Sequence, residues 1–307
     1  MIQAEPQTID TLRQRFAGER FLSFENVNGL TRVNVKTPAC TAEIFLMGAH
    51  MAAFQPTGEQ PVIFLSRKTE YAPGKALRGG IPVVFPWFAT DSKKDRVDGH
   101  PGPSHGFARV QDWRLDSADL RGEAAVLTFT LGPTEMSRHM GFDAFSLEMR
   151  FRLARTLTAE LTVKNTGSAP LEFEEALHTY FHVSDVHETS ITGLEGTGFI
   201  DKVDNFTHKS AEHKPLTYSS KVDRVYLDTL GPYVIHDGAG RREIHMSKQG
   251  SRSTISWNNY GPMPDLGEWD WHDYVALETG NVDINRITLA PGEKHEMVFT
   301  AEVKRLS

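Results

Sequence analysis

Cysteine is almost absent from the sequence, since Cys40 is the only one among 307 residues. One thiol cannot form an intrachain disulfide or a multi-cysteine metal site, and so few cysteines are typical of proteins in a reducing compartment. The N-terminal segment MIQAEPQTIDTLRQRF also lacks the apolar stretch of about 7–15 residues that a signal peptide needs. We therefore expect a cytoplasmic protein in which Cys40 serves only for packing.

An excess of positive charge is also missing. Lysine and arginine number 33 against 40 aspartate and glutamate residues, which gives a net charge of −7. This balance argues against a broad basic surface for nucleic acid or an anionic membrane, so an anionic ligand must meet a local cluster of basic residues. The most apolar stretch, IPVVFPWFA, contains Pro82 and Pro86 and falls far short of the ~20 residues that span a membrane. We expect neither partner, and the oligomeric state stays open.

Internal repeats and Gly/Ser-rich or Pro-rich linkers are missing as well, so no boundary divides the chain. Near the N-terminus, Ile9, Leu12 and Phe16 recur at the spacing of an amphipathic helix, which predicts a helical extension over residues 1–20. Because large β-sandwiches often exceed about 200 residues as one unit, we expect residues 21–307 to form a single domain on which this extension packs.

Beyond the extension, apolar and polar residues alternate with the period of β-strands. The segments FLSFENV and LTRVNVKT flank Asn28-Gly29, a pair that favours a tight hairpin. The clearest alternation runs over 145–153 and is followed by a second over 157–163. RITLA and HEMVFTAEV, joined by Pro291-Gly292-Glu293, predict another hairpin. The pattern indicates an all-β protein built from antiparallel sheets.

Two long stretches, 66–110 and 185–225, are rich in Gly, Pro, His and charge, and we expect them to be loops that carry function. In the first, Arg78 precedes Gly79-Gly80, where the backbone can approach a ligand closely. The segment SHGFAR adds three polar candidates: Ser104, His105 and Arg109. Two arginines in Gly-rich loops could clamp a phosphate through paired charge-assisted hydrogen bonds, or they could be solvated surface residues. A Walker-type phosphate loop is absent from the sequence.

The segment FEEALHTYFHVSD concentrates ionisable residues after a predicted strand. His178 could act as a general acid or base near neutral pH, or it could be a core histidine satisfied by hydrogen bonds. His178 and His182 are four residues apart, which suits a metal pair on a helix, but strand-like surroundings would separate them along one sheet face. We therefore expect no metal.

Glu278 lies in DYVALETGNV, where an apolar strand meets Thr279-Gly280. At the end of a strand this carboxylate could be partly desolvated, which would raise its pKa into the range of a general base. The alternative is an exposed glutamate at a strand end, which is the common situation for this residue type.

Together, RGGIPVVFPWF, HGFAR, ALHTYFHVSD and LETGNV resemble, in this order, the aldose 1-epimerase superfamily. The closest resemblance is to its hexose-6-phosphate mutarotase branch, also called the glucose-6-phosphate 1-epimerases. It covers the chain from about Phe21 to Val303. The resemblance implies a large antiparallel β-sandwich of the galactose-mutarotase type, with a sugar phosphate bound across one sheet and no cofactor.

The resemblance also implies roles for individual residues. It places the catalytic histidine at His178 and the catalytic glutamate at Glu278. It assigns five substrate-binding positions: Arg78, Ser104, His105, Arg109 and Asp223, the last in KVDRVY. The two arginines would recognise the phosphate. Ser104 departs from the family, in which this position can be glutamine, so a contact made by a long amide would be lost or mediated by water.

These roles predict an isomerase that exchanges the anomers of a hexose 6-phosphate, with D-glucose 6-phosphate as the first choice. Glu278 would take the C1 hydroxyl proton while His178 protonates the ring oxygen. One alternative is a catalytically silent carbohydrate-binding module, in which aromatic residues stack on sugars: Trp87, Phe107, Trp257, Trp269 and Trp271. Another is a glycoside hydrolase that uses Glu175 and Glu278 as paired carboxylates.

Overall fold

The computed structural model describes residues 7–90 and 102–306. Strands dominate the chain, and its α-helices are short: α1 (Ile9–Arg15) and α2 (Glu135–His139). Single-turn 3₁₀ helices lie at Ala108–Val110, Val186–Glu188, Asp270–His272 and Asp283–Asn285. Within the described ranges, no helix is long and apolar enough to cross a membrane.

The strands are mostly short, with longer ones in the middle and at the C-terminal end. In chain order they are β1 (Leu22–Val27), β2 (Leu30–Lys36), β3 (Cys40–Phe45), β4 (His50–Pro56), β5 (Val83–Val84), β6 (Arg114–Arg121), β7 (Ala124–Leu131), β8 (Phe145–Leu153), β9 (Thr156–Asn165), β10 (Leu171–Phe173), β11 (Glu175–Leu177), β12 (Tyr180–His182), β13 (Thr189–Thr192), β14 (Phe199–Asp201), β15 (Thr207–Lys209), β16 (Leu216–Thr217), β17 (Val222–Tyr226), β18 (Tyr233–Asp237), β19 (Arg242–Gln249), β20 (Ser253–Asn258), β21 (Tyr274–Asn281), β22 (Ile287–Leu289) and β23 (Lys294–Arg305).

Two large antiparallel sheets pack face to face. The nine-stranded sheet has the order β16-β13-β18-β19-β23-β9-β8-β7-β6. The eight-stranded sheet has the order β15-β14-β17-β20-β21-β11-β5, with β12 also paired to β21. Side chains of both sheets share one buried core, in which the ring centroids of Phe181 and Phe299 are 6.4 Å apart. This arrangement confirms the predicted all-β sandwich.

The alternating segments lie where the sequence predicted strands. The apolar residues of β8 and those of 157–163 are buried, and the polar residues between them are largely outside the core. β1 and β2 form the predicted hairpin, with Val27 paired to Leu30 across the two-residue turn. Asn28 and Gly29 both have positive φ, 50° and 90°, which is the conformation this turn requires.

Two expectations about connections were wrong. RITLA and HEMVFTAEV do turn at Gly292, but β22 pairs with β10 while β23 enters the nine-stranded sheet between β9 and β19. Both edges of β23 are therefore paired, one with β9 and one with β19, so β22 cannot pair with it. The stretch 185–225 is not one long loop, because β13 to β16 and most of β17 lie within it.

The N-terminal region lies beside β6, where the Arg15 side chain donates to the Leu115 carbonyl oxygen. Thr8 caps α1 through its side chain, and Leu12 of this helix is fully buried in the common core. β1 to β4 form a separate four-stranded sheet that follows the helix. Residues 1–6 of the predicted extension lie outside the described residues, and the number of domains stays a prediction.

Candidate active site

The register of the eight-stranded sheet brings His178 and Glu278 together. β11 pairs with β21 through Leu177 and Thr279, and β12 continues the same register through Tyr180 and Ala276. This alignment places His178 opposite Glu278, with both side chains on the face that points away from the core, called here the site face. The Nε2 atom of His178 is 3.3 Å from the Oε1 atom of Glu278. Two residues 100 positions apart thus form one pair.

Glu278 lies inside β21 rather than at its end, which corrects the sequence-based placement. β11 and β20 flank this strand on either side, and only 1% of the glutamate is exposed. Burial raises the pKa of Glu278 well above its ordinary value, a shift that the charges of Lys202 and Arg109 oppose. The desolvation is therefore greater than a position at a strand end would give.

His178 shifts in the opposite direction. Burial lowers its pKa well below the ordinary value, and His105, Arg109 and Arg78 add to this effect. The opposed shifts favour a state in which Glu278 holds a proton and the imidazole is neutral. Within the described chain, the Nδ1 atom of His178 and the Oε2 atom of Glu278 are buried without a hydrogen-bond partner. Such atoms are costly to bury unless a ligand satisfies them.

His105 approaches this pair from a loop with unusual backbone geometry. Its φ is 61° and that of Gly106 is 76°, and a Cβ at Gly106 would lie 1.9 Å from the Phe85 carbonyl oxygen. Only glycine fits there. The His105 and His178 rings meet edge to face, with centroids 5.4 Å apart.

The protonation of His105 follows from its contacts. The backbone N–H of Ala89 donates to its Nδ1 atom at 3.2 Å, so the imidazole carries its proton on Nε2. Burial lowers the pKa of His105 to about 3, and the charges of Arg109, Lys202 and Arg78 contribute. His105 is therefore suited to donating a hydrogen bond as a neutral imidazole.

Arg78 is not a free phosphate clamp, contrary to the simplest sequence-based picture. Its Nε and Nη2 atoms both donate to Oδ2 of Asp265, at 2.8 and 2.6 Å. Its Nη1 atom donates to the hydroxyl of Tyr180 at 3.0 Å. Asp265 and Tyr180 carried no signal in the sequence analysis. An anion at Arg78 must therefore share or displace the Asp265 carboxylate.

Arg109 and Arg78 form a local positive cluster. Its Nη2 atom donates to the Ser104 carbonyl oxygen at 2.6 Å, and its buried Nε atom has no partner among the described residues. Burial lowers the pKa of Arg109 to about 10, and the charge of Arg78 lowers it further against the effect of Tyr180. Ser104 is exposed and contributes its main chain to this contact. Two neighbouring guanidinium groups favour a bound dianion.

Asp223 lies on the same face, two strands beyond Glu278. It pairs with Trp257 of β20, and its Oδ1 atom is 3.2 Å from the Nζ atom of Lys202. Burial raises the pKa of Asp223, while the ion pair with Lys202 opposes that shift. Lys202 has no signal in the sequence, because a single lysine in IDKVDN has no distinguishing spacing.

The aromatic residues proposed for sugar stacking lie in different surroundings, and Trp271 is partly buried against the core. Trp87 and Phe107 are buried in the core, and Trp269 is 62% exposed. Trp257 lies beside the pair, with its ring centroid 6.3 Å from that of His178. Tyr180, which was not among the candidates, stacks on His178 at 4.7 Å with an interplanar angle of 10°.

The paired-carboxylate alternative is not supported. Glu175 is opposite Asn281 in the register, so its side chain points to the core face while that of Glu278 points to the site face. Glu175 is fully buried, accepts a hydrogen bond from Asn281 and pairs with Nε2 of His295 at 3.1 Å. Two carboxylates on opposite faces of a sheet cannot flank one glycosidic bond.

His182 and His178 do not form a metal pair. The Nδ1 atom of His182 contacts the Nη2 atom of Arg242 at 3.2 Å, and His178 faces Glu278. Elsewhere in the part of the chain that the structure describes, one group has a metal-like arrangement: Asp185, His187 and His272. These residues also form ion pairs, with the Nδ1 atoms of His187 and His272 at 2.7 and 4.0 Å from Oδ1 of Asp185.

Comparisons with known proteins identify the family and relatives that match most of the chain. Residues 31–301 match the family model described as aldose 1-epimerase. A protein of Escherichia coli (strain K12), provisionally named glucose-6-phosphate 1-epimerase, is 34% identical over 265 residues, which are 84% of this chain and 85% of the relative. A relative from Salmonella typhimurium with the same provisional name is 32% identical over the same shares of both chains.

Solved structures support the fold. The crystal structure of a provisionally named mutarotase from Salmonella typhimurium matches with a TM-score of 0.86 at 28% identity, covering 96% of this chain and 99% of that one. A galactose mutarotase-like protein from Clostridium acetobutylicum matches with a TM-score of 0.72 at 13% identity, covering 93% and 98%. The sandwich is thus of the galactose-mutarotase type, as the sequence predicted.

Proposed function

This chain belongs to the aldose 1-epimerase family, and we propose that the sugar whose anomers it interconverts is a hexose 6-phosphate, D-glucose 6-phosphate first. The family gives the reaction class, which is epimerisation at C1 of an aldose. The names of its relatives, which specify glucose 6-phosphate, support the choice of substrate. The observation that carries the proposal is the His178–Glu278 pair, 3.3 Å apart beside a positive cluster.

In the proposed reaction, the proton held by Glu278 first moves to His178, and the Glu278 carboxylate then takes the proton of the C1 hydroxyl while the bond between C1 and the ring oxygen breaks. His178 gives a proton to the departing ring oxygen, which leaves an open-chain aldehyde. Rotation about the C1–C2 bond presents the other face of the aldehyde, and both transfers reverse on closure. Ring opening puts one proton on Glu278 and takes one from His178, and closure reverses both transfers, so the pair returns to the protonation state in which it began.

The positive cluster supports a phosphorylated substrate in two ways. Arg78 and Arg109 can donate charge-assisted hydrogen bonds to phosphate oxygens. Their charges also lower the pKa of His178. A phosphate dianion between the arginines would offset those charges and raise the pKa of His178, which makes the imidazolium needed for ring opening easier to form. Phosphate binding would then favour the chemical step as well as affinity.

The test is exchange spectroscopy by NMR, which measures the rate at which α and β anomers interconvert. We expect purified protein to accelerate exchange of glucose 6-phosphate far more than that of glucose. Glu278→Gln should lose about 10²–10⁴-fold of the rate, because it removes one acid–base partner. Glu123→Gln, in the exposed turn between β6 and β7, is the control. Sugar binding without faster exchange would favour the carbohydrate-binding alternative.

A further inference from the structure

Lys202 ends a row of residues that crosses the site face. Its backbone N–H donates to the Asp223 carbonyl oxygen at 2.9 Å, which extends the register of β14 and β17. Asp223 is opposite Trp257, which is opposite Ala276 and then Tyr180. Because Tyr180 contacts Arg78, the row runs from the positive cluster to Lys202. Glu278 lies next to the middle of this row, two residues from Ala276 on β21.

The ammonium of Lys202 is held in place on this face. Its Nζ atom is 3.2 Å from Oδ1 of Asp223 and 5.2 Å from the ring centroid of Phe88. Only 17% of the side chain is exposed, although lysine is usually solvated. Lys202 also lines a cavity of about 410 Å³ together with Phe88. A lysine fixed this way offers a directed donor next to an acceptor.

We propose that Lys202 is a specificity-determining residue, whose ammonium donates a hydrogen bond to a hydroxyl on the C2–C3 edge of the sugar. This inference rests on the proposed function. With the phosphate at Arg78 and Arg109 and C1 over the His178–Glu278 pair, the C2–C3 edge points away from the arginines, toward Asp223. Lys202 and Asp223 then present a donor and an acceptor side by side, which suits two neighbouring hydroxyls.

Lys202 also acts on Glu278 through its charge. Among the groups that oppose the effect of burial on the pKa of Glu278, it is the strongest. Removing this charge should raise that pKa further. The arm of the pH–rate profile that reports Glu278 should therefore move to higher pH, which a purely structural role would not produce.

The experiment compares kcat/KM for glucose 6-phosphate and for its 2-deoxy and 3-deoxy analogues. Lys202→Met should lower kcat/KM for the parent sugar by about 10- to 100-fold, the effect of a lost charged hydrogen bond. It should change kcat/KM much less for the analogue that lacks the contacted hydroxyl. Lys209→Met is the matched control, because this lysine also pairs with an aspartate, Asp204, but outside the site face.

Each outcome separates the two proposals. If wild type accelerates no hexose 6-phosphate, the proposed function fails. If wild type is active and Lys202→Met behaves like Lys209→Met with all three sugars, the role of Lys202 is refuted. Should Lys202→Met not fold, Lys202→Arg takes its place: it keeps the charge but moves the donors. It should leave the pH profile unchanged and alter the ratio between parent and deoxy sugars, and an unaltered ratio would contradict the inference.

Discussion

Burial acts on three neighbouring side chains with different chemical results. It favours a proton on Glu278 and removes one from His178 and from His105. The Nε2 atom of His178 and the Oε1 atom of Glu278 are 3.3 Å apart, and the proposed reaction moves a proton between them. His105 instead uses Nδ1 to accept from Ala89. On the proposed function, His178 and Glu278 form the proton-transferring pair and His105 is a binding residue, although burial favours the neutral form of both histidines in the free protein.

This separation predicts different costs for two similar substitutions. His178→Asn should lower kcat for glucose 6-phosphate by about 10²–10⁴-fold and remove one arm of the pH–rate profile. His105→Asn should lose a neutral hydrogen bond, worth about 0.5–1.5 kcal/mol, and therefore cost about 2- to 13-fold with an unchanged pH profile. Steady-state rates across a pH series measure both effects. Equal losses in the two variants would contradict the separate roles.

Single residues also show what the sequence could not predict. His178 and Glu278 could be named only through the ordered motifs, because no spacing relates two positions that meet through strand register. Arg78 was expected to bind phosphate, and the sequence did not indicate that it pairs with Asp265, which is 187 residues away. Lys202 had no local signature at all. Contacts between distant segments are decided by sheet pairing, which local patterns do not encode.

At the scale of elements, alternation predicted strands well and their neighbours poorly. β8 and β9 alternate because one face is buried, and each is visible in the sequence for that reason. β21 is buried along its whole length, so it has no alternation that marks where Glu278 lies within it. β22 and β23 resemble a hairpin in sequence, yet β19 and β9 pair with the two edges of β23. A short stretch of sequence does not show which strands compete for the same edge of a sheet.

One buried lysine ties strands of the two sheets together. Lys248 on β19 donates to the Ser253 carbonyl oxygen and to Thr254 Oγ1 of β20, both at 2.8 Å. Burial lowers the pKa of Lys248 to about 7. An unfolded lysine titrates near ~10.4, so between these values the unfolded chain binds more protons than the folded chain. The free energy of unfolding should therefore rise with pH over this window.

Lys248→Met removes this titration and makes it measurable. From about pH 7.5 to 9.5, the free energy of unfolding of wild type should rise relative to the variant by up to about 1.4 kcal/mol per pH unit. Urea denaturation at several pH values measures the difference, in which other titrating groups cancel. Lys294→Met, at an exposed position on β23, should run parallel to wild type. A parallel curve for Lys248→Met would contradict a depressed pKa.

At the scale of the whole molecule, a local positive cluster is embedded in a chain with a net charge of −7. The long-range field therefore does not attract an anion, and the proposed recognition of phosphate must come from short-range contacts with Arg78 and Arg109. If bound phosphate raises the pKa of His178 as proposed, the phosphate need not be attached to the sugar. The arginines and the catalytic pair would respond to the dianion itself.

This coupling predicts that a separate anion can replace the phosphate group that free glucose lacks. Adding inorganic phosphite at millimolar concentration should accelerate the anomer exchange of free glucose by the wild-type protein. In Arg109→Met the acceleration should disappear, because the cluster no longer holds the dianion. NMR exchange rates with and without phosphite measure this, and potassium chloride at equal ionic strength is the control. Phosphite that only inhibits would show that the anion contributes to affinity alone.

The bond between Arg78 and Asp265 has a kinetic consequence. Both anomers of the proposed substrate carry the same phosphate, so contacts to it hold substrate and product equally, and a stronger clamp would slow the release of either anomer. Asp265 already occupies two donors of Arg78, so a phosphate that binds there replaces one anion by another and the net affinity is only the difference. On the proposed function, the Asp265 carboxylate would return to the guanidinium when the product leaves. Asp265 would thus compete with the phosphate for Arg78, so that neither anomer of the proposed substrate stays bound for long after the reaction.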